Sequence, residues 1–149
     1  TDSDLATFRR FVTDRELGRV RLVGQVPPDR VVHYLAAADV LALPNSGSDV
    51  RSSRYTSPKK LFEYMAARRP IVSSRLPSLQ EVLRDGENAL LVPPDDPVAL
   101  AEGVVRLIAS PSLAAGLAEQ AWREVQSYSW KARARAILDF AGDSDLMAQ

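Results

Sequence analysis

A serine, a proline and two lysines open an apolar-periodic run at Ser57-Pro58-Lys59-Lys60-Leu61-Phe62-Glu63-Tyr64-Met65-Ala66-Ala67, an order of residue types suited to holding an anion. Ser57 is of the type that caps a helix and Pro58 suits the first helical position. The spacing therefore predicts a helix whose free backbone N–H groups coincide with the positive end of its dipole. Lysines in a first turn run against that dipole, which prefers acids there. The chain holds three lysines against sixteen arginines, and Lys59 and Lys60 are two of the three. A negatively charged ligand is the expected reason. The N–H groups of residues 56 to 59, the hydroxyls of Thr56 and Ser57, and a lysine can hold a diphosphate. Glu63, one turn deeper, can accept hydrogen bonds from two ribose hydroxyls. Spacing alone also allows an exposed i, i+4 ion pair between Lys59 and Glu63, worth about 0.3–0.5 kcal/mol.

The remaining candidates are weaker. Gly24-Gln25-Val26-Pro27-Pro28 is either a plain turn or a backbone ledge for a base edge. Arg51 and Arg54 can meet phosphate or solvent, His33 falls mid-helix, and Glu81 falls on a helix surface. There is no Ser/His/Asp order, metal-ligand spacing or Walker-type glycine loop, so no catalytic residue and no metal site is assigned. Nineteen basic residues balance nineteen acidic ones, which implies no broad nucleic-acid field. The absence of cysteine excludes disulfides and thiolate metal sites and agrees with a reducing cytoplasm, the expected location. No apolar run approaches the length of a membrane span, and no signal peptide opens the sequence.

These residues need elements to position them, and the pattern alternates. Helical spacing is read at Asp4 to Glu16, from Pro28 to Ala38, at Pro58 to Ala67, Pro77 to Leu83, Val98 to Ala109, Leu113 to Val125, and from about Ser129. Strands are read at Val20-Arg21-Leu22-Val23, Asp39 to Pro44, Pro70 to Ser73, and Ala89 to Val92. Leu61, Phe62 and Met65 form the core stripe of their helix. Strands alternating with helices predict an α/β fold, a Rossmann-like parallel sheet with helices on both faces. In such sheets ligands bind beyond the carboxyl ends of the strands, where the Asn45–Thr56 loop lies. The expected organisation is one domain over residues 1–149, with 127–149 as C-terminal helix and tail. Four strands and a leading helix suggest a fragment lacking a first strand–helix–strand.

Taken together the residues resemble the C-terminal donor-binding domain of GT-B-fold retaining glycosyltransferases. That large family includes sucrose synthase and bacterial polysaccharide mannosyl- and glucosyltransferases. The resemblance is carried by Val23-Gly24-Gln25-Val26, Ala38 to Pro44, Lys60 to Ala67, Pro70-Ile71-Val72, Glu81-Val82-Leu83 with Asp85-Gly86, Leu90 to Pro93, and Tyr128-Ser129-Trp130. It implies that Glu63 binds the ribose of a nucleotide sugar and that Gly24, Gln25 and Val26 lie against the nucleobase. It further implies that the N–H groups of residues 56 to 59, including those of Thr56, Ser57 and Lys59, face the diphosphate and sugar, with Lys59 or Lys60 neutralising phosphate. Family members usually carry two glutamates with seven residues between them; Glu63 matches the second, and the first would fall at position 55, where this chain has Tyr55. The donor substrate would be a nucleotide-diphosphate sugar, with no further cofactor. A separate N-terminal domain would bind the acceptor. Arg123, Arg133 and Arg135 near the last helices are expected to face solvent, with loose membrane association of the whole enzyme as the alternative. The competing expectation is a non-catalytic nucleotide-binding or interaction module that keeps the fold.

Overall fold

Residues 2–48 and 59–144 are described by the computed structural model of the chain, with side chains over 5–48 and 59–142. They belong to two units, Thr1–His33 and Tyr34–Gln149. In the first, helix α1 (Asp2–Asp14) is followed by a turn through Glu16, whose φ is 52°. The expected strand Val20–Val23 does not form: residues 20–27 are extended but carry no ladder. A strand exists only through pairing, and among the described residues of this unit nothing pairs with it. Val20 and Val23 stay about half exposed. Helix α2 (Pro28–Ala37) has proline at its start and Asp29 in its first turn, and ends in the second unit.

The second unit holds a parallel sheet of β1 (Leu41–Leu43), β2 (Ile71–Ser74) and β3 (Leu90–Val92), in the order β1-β2-β3. The sequence reading of four strands is thus corrected to three among the described residues. Leu41 lies opposite Ile71, and Val72 opposite Leu90. Helix α3 (Lys59–Ala66) joins β1 to β2, and α4 (Pro77–Gln80) lies between β2 and β3. Helix α4 stops three residues short of the expected Leu83. Its continuation is a turn in which Leu83 N–H bonds Leu79 O at 2.7 Å and Arg84 N–H bonds the Asn88 side chain at 2.7 Å. Helices α5 (Pro97–Ala109) and α6 (Pro111–Val125) and a short 3-10 turn (Gln126–Tyr128) follow, then α7 (Trp130–Ser144).

Side-chain alternation sorts the core into two layers. Leu41, Leu43, Ile71, Ala89 and Leu91 face Leu61 and Met65 of α3 and the Leu76–Leu83 segment. Val72 and Leu90 face Leu107 of α5 and Leu117 of α6. Helix α6 serves both, since Ala121 belongs to the first layer and Leu117 to the second. It passes the amino ends of the strands, where Ala114, Ala115 and Ala118 line a cavity with Asp39 and Pro70.

The outer edge of β3 is closed by side chains rather than by a strand. Leu91 N–H donates to Asp85 Oδ1 at 2.9 Å, Leu91 O accepts from Arg75 at 2.9 Å, and Arg75 bonds Asp85 at 2.7 Å. Partial burial pulls the Asp85 carboxyl upward, but the Leu91 N–H and the guanidinium of Arg75 outweigh it and hold it below its ordinary value of 3.8. Behind this edge, buried Asn88 donates to Val82 O at 3.0 Å and to Glu124 at 2.7 Å. Burial also acts upward on Glu124, and hydrogen bonds from Gln120, Asn88 and Arg84 overcome it, so its pKa is lowered too.

Two outcomes are expected from this packing. A Cβ at Gly103 of α5 would lie 2.6 Å from Val72 Cγ2, a stiff side chain on a fully buried strand. Gly103→Ala should therefore destabilise by about 1–3 kcal/mol despite its gain in helix propensity. Gly116→Ala in α6 meets nothing within 4 Å and should stabilise by about 0.5–1 kcal/mol. Urea unfolding of both variants checks the opposite signs. Carboxyls with lowered folded pKa contribute stability above their unfolded values and lose it as pH falls through the folded ones. For Asp85 that window lies below about pH 4. Asp85→Asn should be less stable than the native chain at pH 7, and unfolding midpoints measured down to about pH 3 should show that gap closing.

Candidate functional site

Helix α3 is anchored by its apolar stripe, with Leu61 and Met65 fully buried and Phe62 and Tyr64 packed beside them. That orientation sends Lys59 and Glu63, four residues apart, out together on the opposite flank. Among the described residues no ion pair joins them, so both charged groups face open space. The helix closes through Arg68 in the left-handed region, φ 54°, where Arg68 bonds Glu119 at 2.8 Å and its guanidinium lies 4.8 Å from the Trp122 ring.

The flank of α3 forms one wall of a groove of about 680 Å³. Its lining is Lys59, Phe62, Glu63 and Ala66 from α3, Ser127 and Tyr128 from the 3-10 turn, and Trp130 and Arg133 from the start of α7. The Phe62 and Tyr128 rings stack at 5.0 Å between centroids and 42° apart, a contact worth about 0.5–1.5 kcal/mol that fixes the turn on α3. Arg133 lies 6.0 Å over the Trp130 ring, which is 85% exposed. The groove thus offers two cations, one carboxylate and three aromatic faces. Such a set can hold phosphate oxygens, accept from paired hydroxyls, and stack a ring.

Of the residues singled out in the sequence, the structure brings Lys59 and Glu63 together in this groove and leaves Lys60, exposed, outside its lining. Tyr55, Thr56, Ser57 and Pro58 lie outside the described residues, as do Arg51, Arg54 and most of the Asn45–Thr56 loop. Gly24 and Gln25 are exposed and Val26 half-buried in the first unit. Gly24 has a φ of 78°, which suits glycine at a turn. His33 and Glu81 are exposed. Sequence reasoning missed that Tyr128, Trp130 and Arg133 complete the groove. The Tyr128-Ser129-Trp130 triplet was visible, but nothing local ties it to Lys59 and Glu63. Among the described residues no cluster of carboxylates and histidines is arranged to hold a metal ion, and no single helix is long and apolar enough to cross a membrane.

Tyr64 reports on the charge in the groove. Burial, and then the neighbouring Glu63 carboxylate, raise its pKa above the ordinary 10.0. Glu63→Gln should therefore lower the ionisation pH of Tyr64 while burial keeps it above 10.0. Ultraviolet difference titration, with Tyr64→Phe subtracted to isolate the signal, reads this directly.

Comparison with known proteins adds four likenesses. A family model described as glycosyl transferases group 1 matches residues 3–110. The phosphatidyl-myo-inositol mannosyltransferase of Mycobacterium leprae is 34% identical over 119 residues, 80% of this chain and 30% of that protein. The structure of sucrose-phosphate synthase from Thermosynechococcus elongatus superposes with a TM-score of 0.76 at 31% identity, over 96% of this chain and 35% of that one. Anabaena HepE, solved in complex with UDP-glucose, shares the fold with a TM-score of 0.70 at 19% identity, over 83% of this chain and 32% of that one. The chain therefore spans about a third of the length of these proteins.

Proposed function

The chain belongs to the glycosyl transferases group 1 family by the match over residues 3–110, and from that premise we propose that it is the donor-binding part of a retaining glycosyltransferase. In this reading the enzyme moves a hexose from a nucleotide-diphosphate sugar to a glycan, lipid or small-molecule acceptor held by a separate N-terminal domain. The observation that supports it best is the shared groove of Lys59 and Glu63, where a cation and a carboxylate stand one helical turn apart without neutralising each other. Glu63 accepts from the two ribose hydroxyls. Lys59, with Lys60 and the N–H groups of residues 56 to 59, carries the diphosphate. Thr56, Ser57 and Tyr55 contribute at the sugar side, and Gly24, Gln25 and Val26 meet the base.

Transfer with retention develops positive charge at the sugar carbon and negative charge on the departing diphosphate. Fixed cations stabilise the latter at no reorganisation cost. The donor is a substrate, and the reading requires no further cofactor. The reaction is assigned to the cytoplasm, with Arg123, Arg133 and Arg135 facing solvent and a loose association of the whole enzyme with an acidic lipid surface as the alternative.

Isothermal titration of the full-length protein with UDP, GDP and ADP tests the reading, with UDP first because HepE was solved with a UDP-sugar. One of the three should bind, and Glu63→Ala should weaken it about tenfold or more. Lys59→Ala should weaken the nucleoside diphosphate but spare the nucleoside, because the lysine meets phosphate alone. Unchanged affinity in Glu63→Ala ends the ribose role, and failure of all three nucleotides to bind the native protein ends the donor reading.

A further inference from the structure

The outer surface of α5 carries more apolar area than a helix facing water needs. Val98, Val105 and Ile108 are 65%, 64% and 62% exposed, and Ala101 is exposed between them. Their spacing of three, four and three residues places all four on one stripe, about 15 Å long. The inner side is already occupied, since Gly103 lies against Val72 and Leu107 is buried in the second layer. Glu102 and Arg106 are exposed and, one turn apart, border the stripe along the same flank. Among the described residues neither forms an ion pair. At its far end Ile108 opens onto a cavity of about 410 Å³, whose other apolar walls include Pro111, Ala114 and Ala115 from the start of α6.

Such a stripe is self-complementary in one arrangement. Two copies of α5 lying antiparallel, about a two-fold axis level with Gly103, set Val98 against Ile108 and Ala101 against Val105, each pair occurring twice. Val98 of each copy then comes to the mouth of the cavity beside the other copy's Ile108. The same symmetry brings Glu102 of one copy to the side of Arg106 of the other, where rim charges of opposite sign fix register. We propose that the outer face of α5 is the surface through which two copies of this chain pair. A lipid surface fits it less well, because helices that lie on membranes are rich in Lys and Arg along the polar face. In α5 the single arginine is matched by a single glutamate. Pairing leaves the groove of Lys59 and Glu63 open, since α5 covers Val72 while α3 covers the opposite face of the sheet. One short helix per copy falls below a standard interface, so the dissociation constant is on the order of tens of micromolar.

Sedimentation equilibrium of the full-length protein, from about 1 to 200 μM, reads the pairing. The native protein should show a monomer–dimer equilibrium. Val105→Glu puts a charge on the stripe at an exposed helical position. It should weaken the dimer about tenfold or more while melting within about 2 °C of the native protein. Glu102→Arg and Arg106→Glu each set like charges together and should each weaken it about three- to tenfold. Mixed with each other, these two variants should form a heterodimer within about twofold of the native dissociation constant, a recovery that ion pairing inside one copy cannot produce. A native protein that stays monomeric throughout overturns the proposal, as does a dimer indifferent to Val105→Glu or a mixture no tighter than either variant alone. A Val105→Glu variant that melts outside that window shows the stripe covered by another part of the same polypeptide, and overturns it too. So does native binding to phosphatidylcholine–phosphatidylglycerol vesicles that Val105→Glu abolishes, which assigns the stripe to lipid. None of these readouts depends on whether a nucleotide binds.

Discussion

Burying all four residues of β2 obliges its surroundings to supply a hydrogen-bond partner on each edge and an apolar layer on each face. β1 and β3 meet the first demand, and their registers follow from it. The second separates Ile71 from Val72 and so sorts the neighbouring helices between two layers, with α6 serving both. Helix α5 approaches so closely that Val72 leaves room only for a glycine at position 103. Because α3 is the helix that covers Ile71, its apolar stripe is fixed, and with it the flank on which Lys59 and Glu63 stand. The groove is in this sense a consequence of how a central strand is covered.

The edges are managed by different means. A parallel strand directs the N–H and C=O of one residue to the same neighbour. On β3, Val92 O receives Arg75 N–H from the β2 side, while Leu91 presents its pair outward. Arg75 and Asp85 answer both groups with one ion pair, so two side chains satisfy what another strand would otherwise satisfy. An edge capped in this way is a poor template for a foreign strand.

Much of the architecture was legible because it depends on short-range periodicity. The core stripe Leu61, Phe62 and Met65, the apolar runs of the three strands, and the proline starts at Pro28 and Pro97 each specify their element locally. Val20–Val23 has the composition of a strand as well, but pairing is a tertiary property that composition does not encode. The candidate site divides along the same line. Lys59 and Glu63 share a flank through helical spacing alone and could be paired from the sequence. Tyr128, Trp130 and Arg133 join them only because the Phe62–Tyr128 stack folds distant residues together.

Helix α6 has a bearing on how the second unit comes into being. Among the described residues it is the one helix that gives buried side chains to both layers, Leu117 to one and Ala121 to the other. As the chain is synthesised, β1, α3, β2, α4 and β3 can associate as they emerge, since each lies near its predecessor in sequence. Neither layer is sealed until α6 has cleared the ribosome, some thirty residues after the last strand. Until then the faces of β2 stay partly open, and the nascent unit depends on whatever shields apolar surface during translation. Completion of the fold is thus timed by a helix that carries none of the residues assigned to the donor.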